Sequence, residues 1–174
     1  MIFNSNEDDS FRIELGDEHF MNMALRQAEQ AFQAGEVPIG AIIVHDGEVI
    51  AKSWNQVEML KDATAHAEIL ALTQAASKLE RWRLHDCTLY VTKEPCPMCA
   101  GALVNSRIKK VVFGLPDAKG GGCGGAFDIH NHDGLLHKVE IEGSFMEEPC
   151  KAIIQSFFKM RRQQQKDLKN NESE

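Results

Sequence analysis

The sequence predicts an α/β domain, a single β-sheet with helices packed against its faces. Two observations carry that expectation. Apolar residues recur at helical spacing near the start of the chain, and strand-like runs then alternate with helix-like runs to its end. The chain has 174 residues, 43% hydrophobic and 26% charged, a single-domain length and a globular composition. The boundaries read as an acidic tail over 1–16, one domain over 17–165 and a polar tail over 166–174.

The elements follow in order. Asp17 is placed to cap a helix reaching about Ala34, with Phe20, Met23, Ala24, Ala28, Ala31 and Phe32 on its apolar stripe and Gly35 as its stop. VPIGAIIVHDGEVIAKSW reads as a hairpin turning at Asp46-Gly47. Thr64 is placed to cap a second helix, HAEILALTQAASKL. CTLYVT is a short buried strand. Pro97 suits the first turn of a third helix, PMCAGALVNS. KKVVFG is a further strand, the Gly-rich KGGGCGG a loop, KVEIEG a fifth strand, and 147–165 a last amphipathic helix. The first two strands are expected to be antiparallel and the later ones mainly parallel.

Charge is unevenly spread. The net charge is −7, yet residues 151–174 carry six Lys/Arg against three acids. That makes the C-terminal end a basic patch on an acidic protein, or simply a solvated amphipathic helix. No apolar run approaches the roughly 20 residues of a membrane span. The start, MIFNSNEDDS, has neither a basic n-region nor an apolar h-region, so a cytoplasmic location is expected.

Five cysteines, Cys87, Cys96, Cys99, Cys123 and Cys150, are an odd number outside a small secreted scaffold, which favours metal or catalytic use over disulfides. Cys87 and Cys150 read as buried packing residues. Cys96 and Cys99, in EPCPMCAGA, have the two-residue gap of a zinc knuckle and sit at a predicted helix start, where free N–H groups favour thiolate. No second cysteine pair answers them. The best third ligand is His66 in TAHAEILAL, also at a helix start. Three protein ligands with one open position is the arrangement of catalytic zinc. Glu68, two residues past His66, is the candidate proton carrier beside a zinc-bound water. The histidines His130, His132 and His137 read as polar loop residues.

The set H-x-E then P-C-x-x-C matches the signature of zinc deaminases. Over about Asp17 to Arg162 the chain resembles bacterial tRNA-specific adenosine deaminases. The resemblance rests on VPIGAIIV, Trp54-Asn55, TAHAEILAL, LYVTKEPCPMCAGA, SRIKKVVFG, Asp117-Ala118-Lys119 and FFKMRR. It implies a three-layer α/β/α cytidine-deaminase-like fold with a five-stranded mixed sheet, a homodimer, one Zn2+ per subunit held by His66, Cys96 and Cys99, and Glu68 as proton shuttle. The substrate it implies is the wobble adenosine, position 34, of a tRNA anticodon loop, deaminated to inosine. Asn55 would then bond the flipped-out base and Asp117 lie near the neighbouring ribose. Phe158, with the basic residues around it, would grip the loop, and Lys119 would add to the contact. On residue type alone, Asn55 is a turn cap, Asp117 a turn residue and Lys119 solvated surface. The sequence departs from the family at Ala63, where proline is common, at Lys93, where an apolar residue is usual, and at 125–127. None of these touches the zinc set. Two other readings share that set: a deaminase of a free base such as guanine, and a non-catalytic zinc-stabilised RNA-binding partner.

Overall fold

The computed structural model describes residues 15–171. Among these, five strands form one sheet in the order β2-β1-β3-β4-β5. β1 (Gly40–His45) and β2 (Glu48–Trp54) are an antiparallel hairpin, and β1 also pairs antiparallel with β3 (Cys87–Lys93). β4 (Lys110–Leu115) and β5 (Glu140–Glu142) continue in parallel from β3. Every strand except β1 therefore runs the same way, and the carboxyl ends of β2, β3 and β4 share one edge. The hairpin turns where the sequence places it: Asp46 and Gly47 both take positive φ, 49° and 77°, as a two-residue turn matched to strand twist demands.

Strand alternation divides the core in two. Ile42, Val44, Tyr90 and Val112 face α1 (Asp17–Gln33) and α5 (Glu147–Asn171), where Phe20, Met21, Ala24 and Cys150 meet them. Ala41, Ile43, Leu89, Val91, Val111 and Phe113 face α3 (Ala67–Lys78) and α4 (Pro97–Asn105) through Ala67, Ala71, Leu72, Ala100 and Leu103. The result is the expected α/β/α sandwich. Small residues on α1 bring it close to β1: a Cβ at Gly40 would run into the Ala24 carbonyl and the Ala28 amide.

Several local expectations need correction. Gly16, not Asp17, is the N-cap of α1; the Asp17 carboxylate is turned inward and accepts the Tyr90 hydroxyl at 2.6 Å. Thr64 does not cap α3. Its N–H and hydroxyl both bond Asp62 Oδ1 at 2.8 Å, and the cap position falls to His66 in extended geometry with no side-chain bond to the backbone. Competition between a local Asx turn and the helix decides this, and it leaves the imidazole free for other work. A one-turn helix, α2 (Val57–Leu60), precedes α3 unannounced by any periodicity. β5 is shorter than KVEIEG, and α5 runs on through Asn171 rather than ending near 165. The residues before 15, including most of the acidic tail, lie outside the described range.

Cys87, Cys123 and Cys150 are buried free thiols, each pushed up to about 12 chiefly by burial, so they stay protonated and inert at neutral pH. His137 Nε2 lies 2.8 Å from the Ile108 carbonyl and His130 Nδ1 3.0 Å from Asp128. His137 ties the loop to the segment before β4, His130 stays within its own loop without a hydrogen bond at Nδ1, and among the described residues the histidines form no second metal-capable cluster.

Two glycines respond oppositely to a methyl group. Gly40→Ala is expected to destabilise the fold by about 1–3 kcal/mol through forced overpacking. Gly101→Ala, in α4 with open space around its Cβ, is expected to stabilise it by up to about 1 kcal/mol. Chemical denaturation reads both, and equal effects would contradict this packing.

Candidate metal centre and substrate cavity

The site lies at the shared carboxyl edge of β2 and β3, where open α/β sheets place ligands. The chain leaves β2 at Trp54 and enters α3 at Ala67, with His66 as N-cap. It leaves β3 at Lys93 and enters α4 at Pro97, with Cys96 as N-cap and Cys99 in the first turn. Two helix N-termini thus meet, each bringing unpaired amides and the positive end of its dipole. Proline at the first position of α4 suits this end, since its missing N–H would have had no helical partner.

The ligand atoms of His66, Cys96 and Cys99 lie within 4.8 Å of one another. His66 Nδ1 is 3.6 Å from Cys96 Sγ and 3.5 Å from Cys99 Sγ. Ordinary Zn–N and Zn–S lengths at a tetrahedral centre put such atoms about 3.6 Å apart. One nitrogen and two sulfurs also form a soft donor set of the kind zinc takes. The residues therefore fit a metal, and zinc in particular. Cys96 is drawn down to about 3, first by the Cys99 side chain and, against the cost of burial, by His66 and the Cys99 amide. It stands ready as a thiolate ligand.

Glu68 sits in the first turn of α3, 3% exposed. Burial, the largest cause, raises its carboxyl above the ordinary value. Its Oε2 is sealed from solvent with no hydrogen-bond partner. A buried carboxyl oxygen left unpaired beside a metal-capable triad is costly unless chemistry uses it.

A cavity of about 550 Å³ adjoins this centre and reaches it at His66, while Cys96, Cys99 and Glu68 do not line it. Asn55 and His66 line it from the sheet edge, with Glu36, Ile39 and Lys93. Phe157, Phe158, Arg161 and Arg162 line it from α5. Phe157 is anchored, 3% exposed and edge-on to Phe32 at 5.7 Å; its neighbour Phe158 is 42% exposed. Of the remaining candidates, Asp117 and Lys119 do not line the cavity. Asp117 is one step away, ion-paired with Lys93 and accepting the Lys119 and Gly120 amides at 3.0 Å; the Lys93 ammonium lowers its carboxyl below the ordinary value. Lys119 itself is exposed.

Two acids that carry the site were missed from sequence. Glu94, beside Cys96, is buried and accepts three main-chain N–H groups: Asp117 at 2.7 Å, Cys123 at 3.0 Å and Gly125 at 2.8 Å. It pins the Gly-rich loop against the metal turn, and a Cβ at Gly121 or Gly125 would strike its carboxylate. The glycine run was visible; the carboxylate it wraps was not. Glu36, 1% exposed, gave no signal beyond being an acid between a helix stop and an apolar strand.

Fold and site together define a deaminase-type α/β/α sandwich with a His/Cys/Cys centre. Residues 15–162 match the MafB19-like deaminase family. The chain is 49% identical to the tRNA-specific adenosine deaminase of Aquifex aeolicus, over 84% of this chain and 97% of that one. It is also similar to a chain solved in a study of A-to-I editing by tRNA:A34 deaminases at the wobble position of transfer RNA: 40% identity, TM-score 0.76, covering 78% of this chain and 99% of that one. The guanine deaminase of Bacillus subtilis is similar over less of the chain: 40% identity, TM-score 0.56, covering 59% of this chain and 66% of that one. The chain belongs to the family of tRNA-specific adenosine deaminases.

Glu94→Gln replaces one accepting oxygen with a donor and strands a buried main-chain N–H. A loss of about 1–3 kcal/mol is expected in denaturant unfolding. Unchanged stability would mean the loop is held by other contacts.

Proposed function

We propose that this protein is a zinc-dependent hydrolytic deaminase that converts adenosine 34 of a tRNA anticodon loop to inosine, releasing ammonia. The observation that carries the reading is the one cavity in which His66 of the metal-capable triad meets Asn55 and the aromatic and basic face of α5. A free base would need the first part of that cavity and not the second.

His66, Cys96 and Cys99 would hold one Zn2+, which when bound supplies a Lewis acid able to bring the pKa of a water toward neutrality. Glu68 moves the protons. Its unpaired Oε2 accepts one from the attacking water and delivers it to the ring nitrogen of the base. The same carboxyl then takes the second proton, from the added hydroxyl, and gives it to the departing amine, so that the C=O bond forms as the C–N bond breaks and ammonia leaves. Burial raises the affinity of this carboxyl for a proton, the direction a proton carrier needs. Asn55 holds the flipped base, and Phe158 offers an exposed ring on which an unstacked anticodon base can lie. Arg161 and Arg162 meet loop phosphates locally, so the net negative charge of the chain is no obstacle. Asp117 and Lys119 are read as contacts to the flanking nucleotide, beyond the cavity rim.

The reading includes a homodimer, as the resemblance implies. It is supported by an apolar groove between α3 and α4, lined by Ile69, Leu72, Leu84 and an exposed Trp82. A cytoplasmic site of action accompanies a tRNA substrate. Among the described residues no helix is long and apolar enough to cross a membrane. The similarity to a guanine deaminase keeps one alternative, a free-base substrate, in play.

The test offers the purified protein an anticodon stem-loop carrying A34, free adenosine and free guanine. Inosine is expected in the stem-loop alone; turnover of guanine with the stem-loop untouched would overturn the tRNA reading. Glu68→Ala should abolish turnover and leave about one zinc per chain by elemental analysis, whereas Cys99→Ala should lose the metal. Arg161→Ala with Arg162→Ala should weaken stem-loop binding without lowering the unfolding midpoint. It should also flatten the salt dependence by about one in slope for each phosphate contact removed.

A further inference from the structure

Glu36 is the most deeply buried acid near the cavity, and the proton transfers assigned to Glu68 do not use it. Its Oε1 accepts the Met59 amide at 2.6 Å, and its Oε2 accepts the Glu58 amide at 3.2 Å and Asn55 Nδ2 at 3.3 Å. Both oxygens of Glu36 therefore act as acceptors. An acceptor-only partner fixes which end of the Asn55 amide faces it: the nitrogen is turned to Glu36. Among the described residues Asn55 Oδ1 takes no partner. Among the described residues only Glu68 Oε2 and His130 Nδ1 are sealed from solvent without one. Asn55 Oδ1 is thus unpartnered yet open, on a residue whose opening is the cavity.

We infer that Glu36 is a positioning residue that sets the hydrogen-bond polarity of the substrate cavity by locking Asn55 with its carbonyl oxygen toward the base. This rests on the reading of Asn55 as a substrate contact. The substrate group that meets Asn55 is then an N–H or O–H donor, which on an adenosine is the 6-amino group or a ribose hydroxyl. An Asn55 free to rotate would present donor and acceptor alternately, and half of its orientations would repel that donor. Glu36 also pins the first turn of α2, so a structural role has to be separated from the polarity role.

A reciprocal pair of substitutions separates them. Glu36→Gln keeps one accepting oxygen. With that oxygen left toward Asn55 Nδ2 and the Glu58 amide only the Met59 bond is lost, so this single change does not turn Asn55 over. Asn55→Asp alone instead sets two carboxylates against each other. Combining the two restores the contact with its direction reversed. The new amide at position 36 donates, the new carboxylate at position 55 accepts, and its second oxygen again faces the cavity. The double variant loses the bond from the Glu58 amide. The four proteins are compared, metal-loaded, for kcat and KM, zinc content and unfolding midpoint. Asn55→Asp is expected to lower kcat/KM by roughly ten- to a hundredfold with zinc retained. The double variant is expected to recover at least about tenfold over the worse single variant. Parental kcat/KM in Asn55→Asp, or a double variant no better than the worse single one, would overturn the inference. If Asn55→Asp is too unstable to assay, the double variant decides alone: active, it supports the polarity role, and unfolded or inactive, it refutes it. The cycle is run on whichever substrate the parent deaminates. Failure of the parent on the stem-loop therefore counts against the tRNA reading, while the cycle judges Glu36 separately.

Discussion

The structure depends on the meeting of two helix N-termini at one edge of the sheet. β2 and β3 run in the same direction because β1 lies antiparallel between them. Their carboxyl ends therefore release α3 and α4 side by side, and His66 and Cys96 occupy equivalent cap positions. Neither residue spends its side chain on capping. The amides and dipoles there favour the thiolate that Cys96 must be, and the same first turns bury Glu68 and Cys99. Move either helix by a turn and the three ligand atoms no longer lie within 4.8 Å of one another.

The rest of the chain braces that edge. Ser53 fastens the end of β2 to α3 by bonding the Ala67 carbonyl at 2.6 Å. Thr92 receives the Gly40 amide at 3.1 Å and ties β1 to β3 just below the site. Glu94 and Glu36 do the same for the loops. Each is a buried carboxylate whose oxygens accept main-chain amides, an arrangement in which hydrogen bonds to a charge offset the cost of burying it. Glu94 holds the Gly-rich loop, and Glu36 holds α2 with Asn55. Lys93, where the resemblance leads one to expect an apolar residue, adds a cation to the cavity wall and an ion pair to Asp117.

Helix α5 shows how one element serves core and surface at once. Ile154 and Phe157 face inward, and Phe158, one residue on, turns its ring out. Arg161 and Arg162 lie one turn further along the same helix and line the same cavity. A polar C-terminal half that looks frayed in sequence is helical through Asn171 because the anchored first turns carry it outward, helix propagation being easier than nucleation.

The sequence by itself determined the element order, the hairpin turn and the metal-capable set. Each is written in local spacing: period 3.6, period 2, Asp-Gly, C-x-x-C, H-x-E. The caps at Asp17 and Thr64 were misread because side chains of the right type found better partners, Tyr90 across the fold and Asp62 two residues away. Asp117 pairs with Lys93 across the loop, a contact that residue type and spacing do not announce. What only the tertiary structure decided is everything that needs residues distant in the chain. Glu36 reaches Asn55, Glu58 and Met59; Glu94 reaches Asp117, Cys123 and Gly125; Phe158 comes over the same cavity as His66. A buried acid looks like a surface acid in sequence, because the donors that satisfy it come from loops whose approach is set by packing and not by spacing.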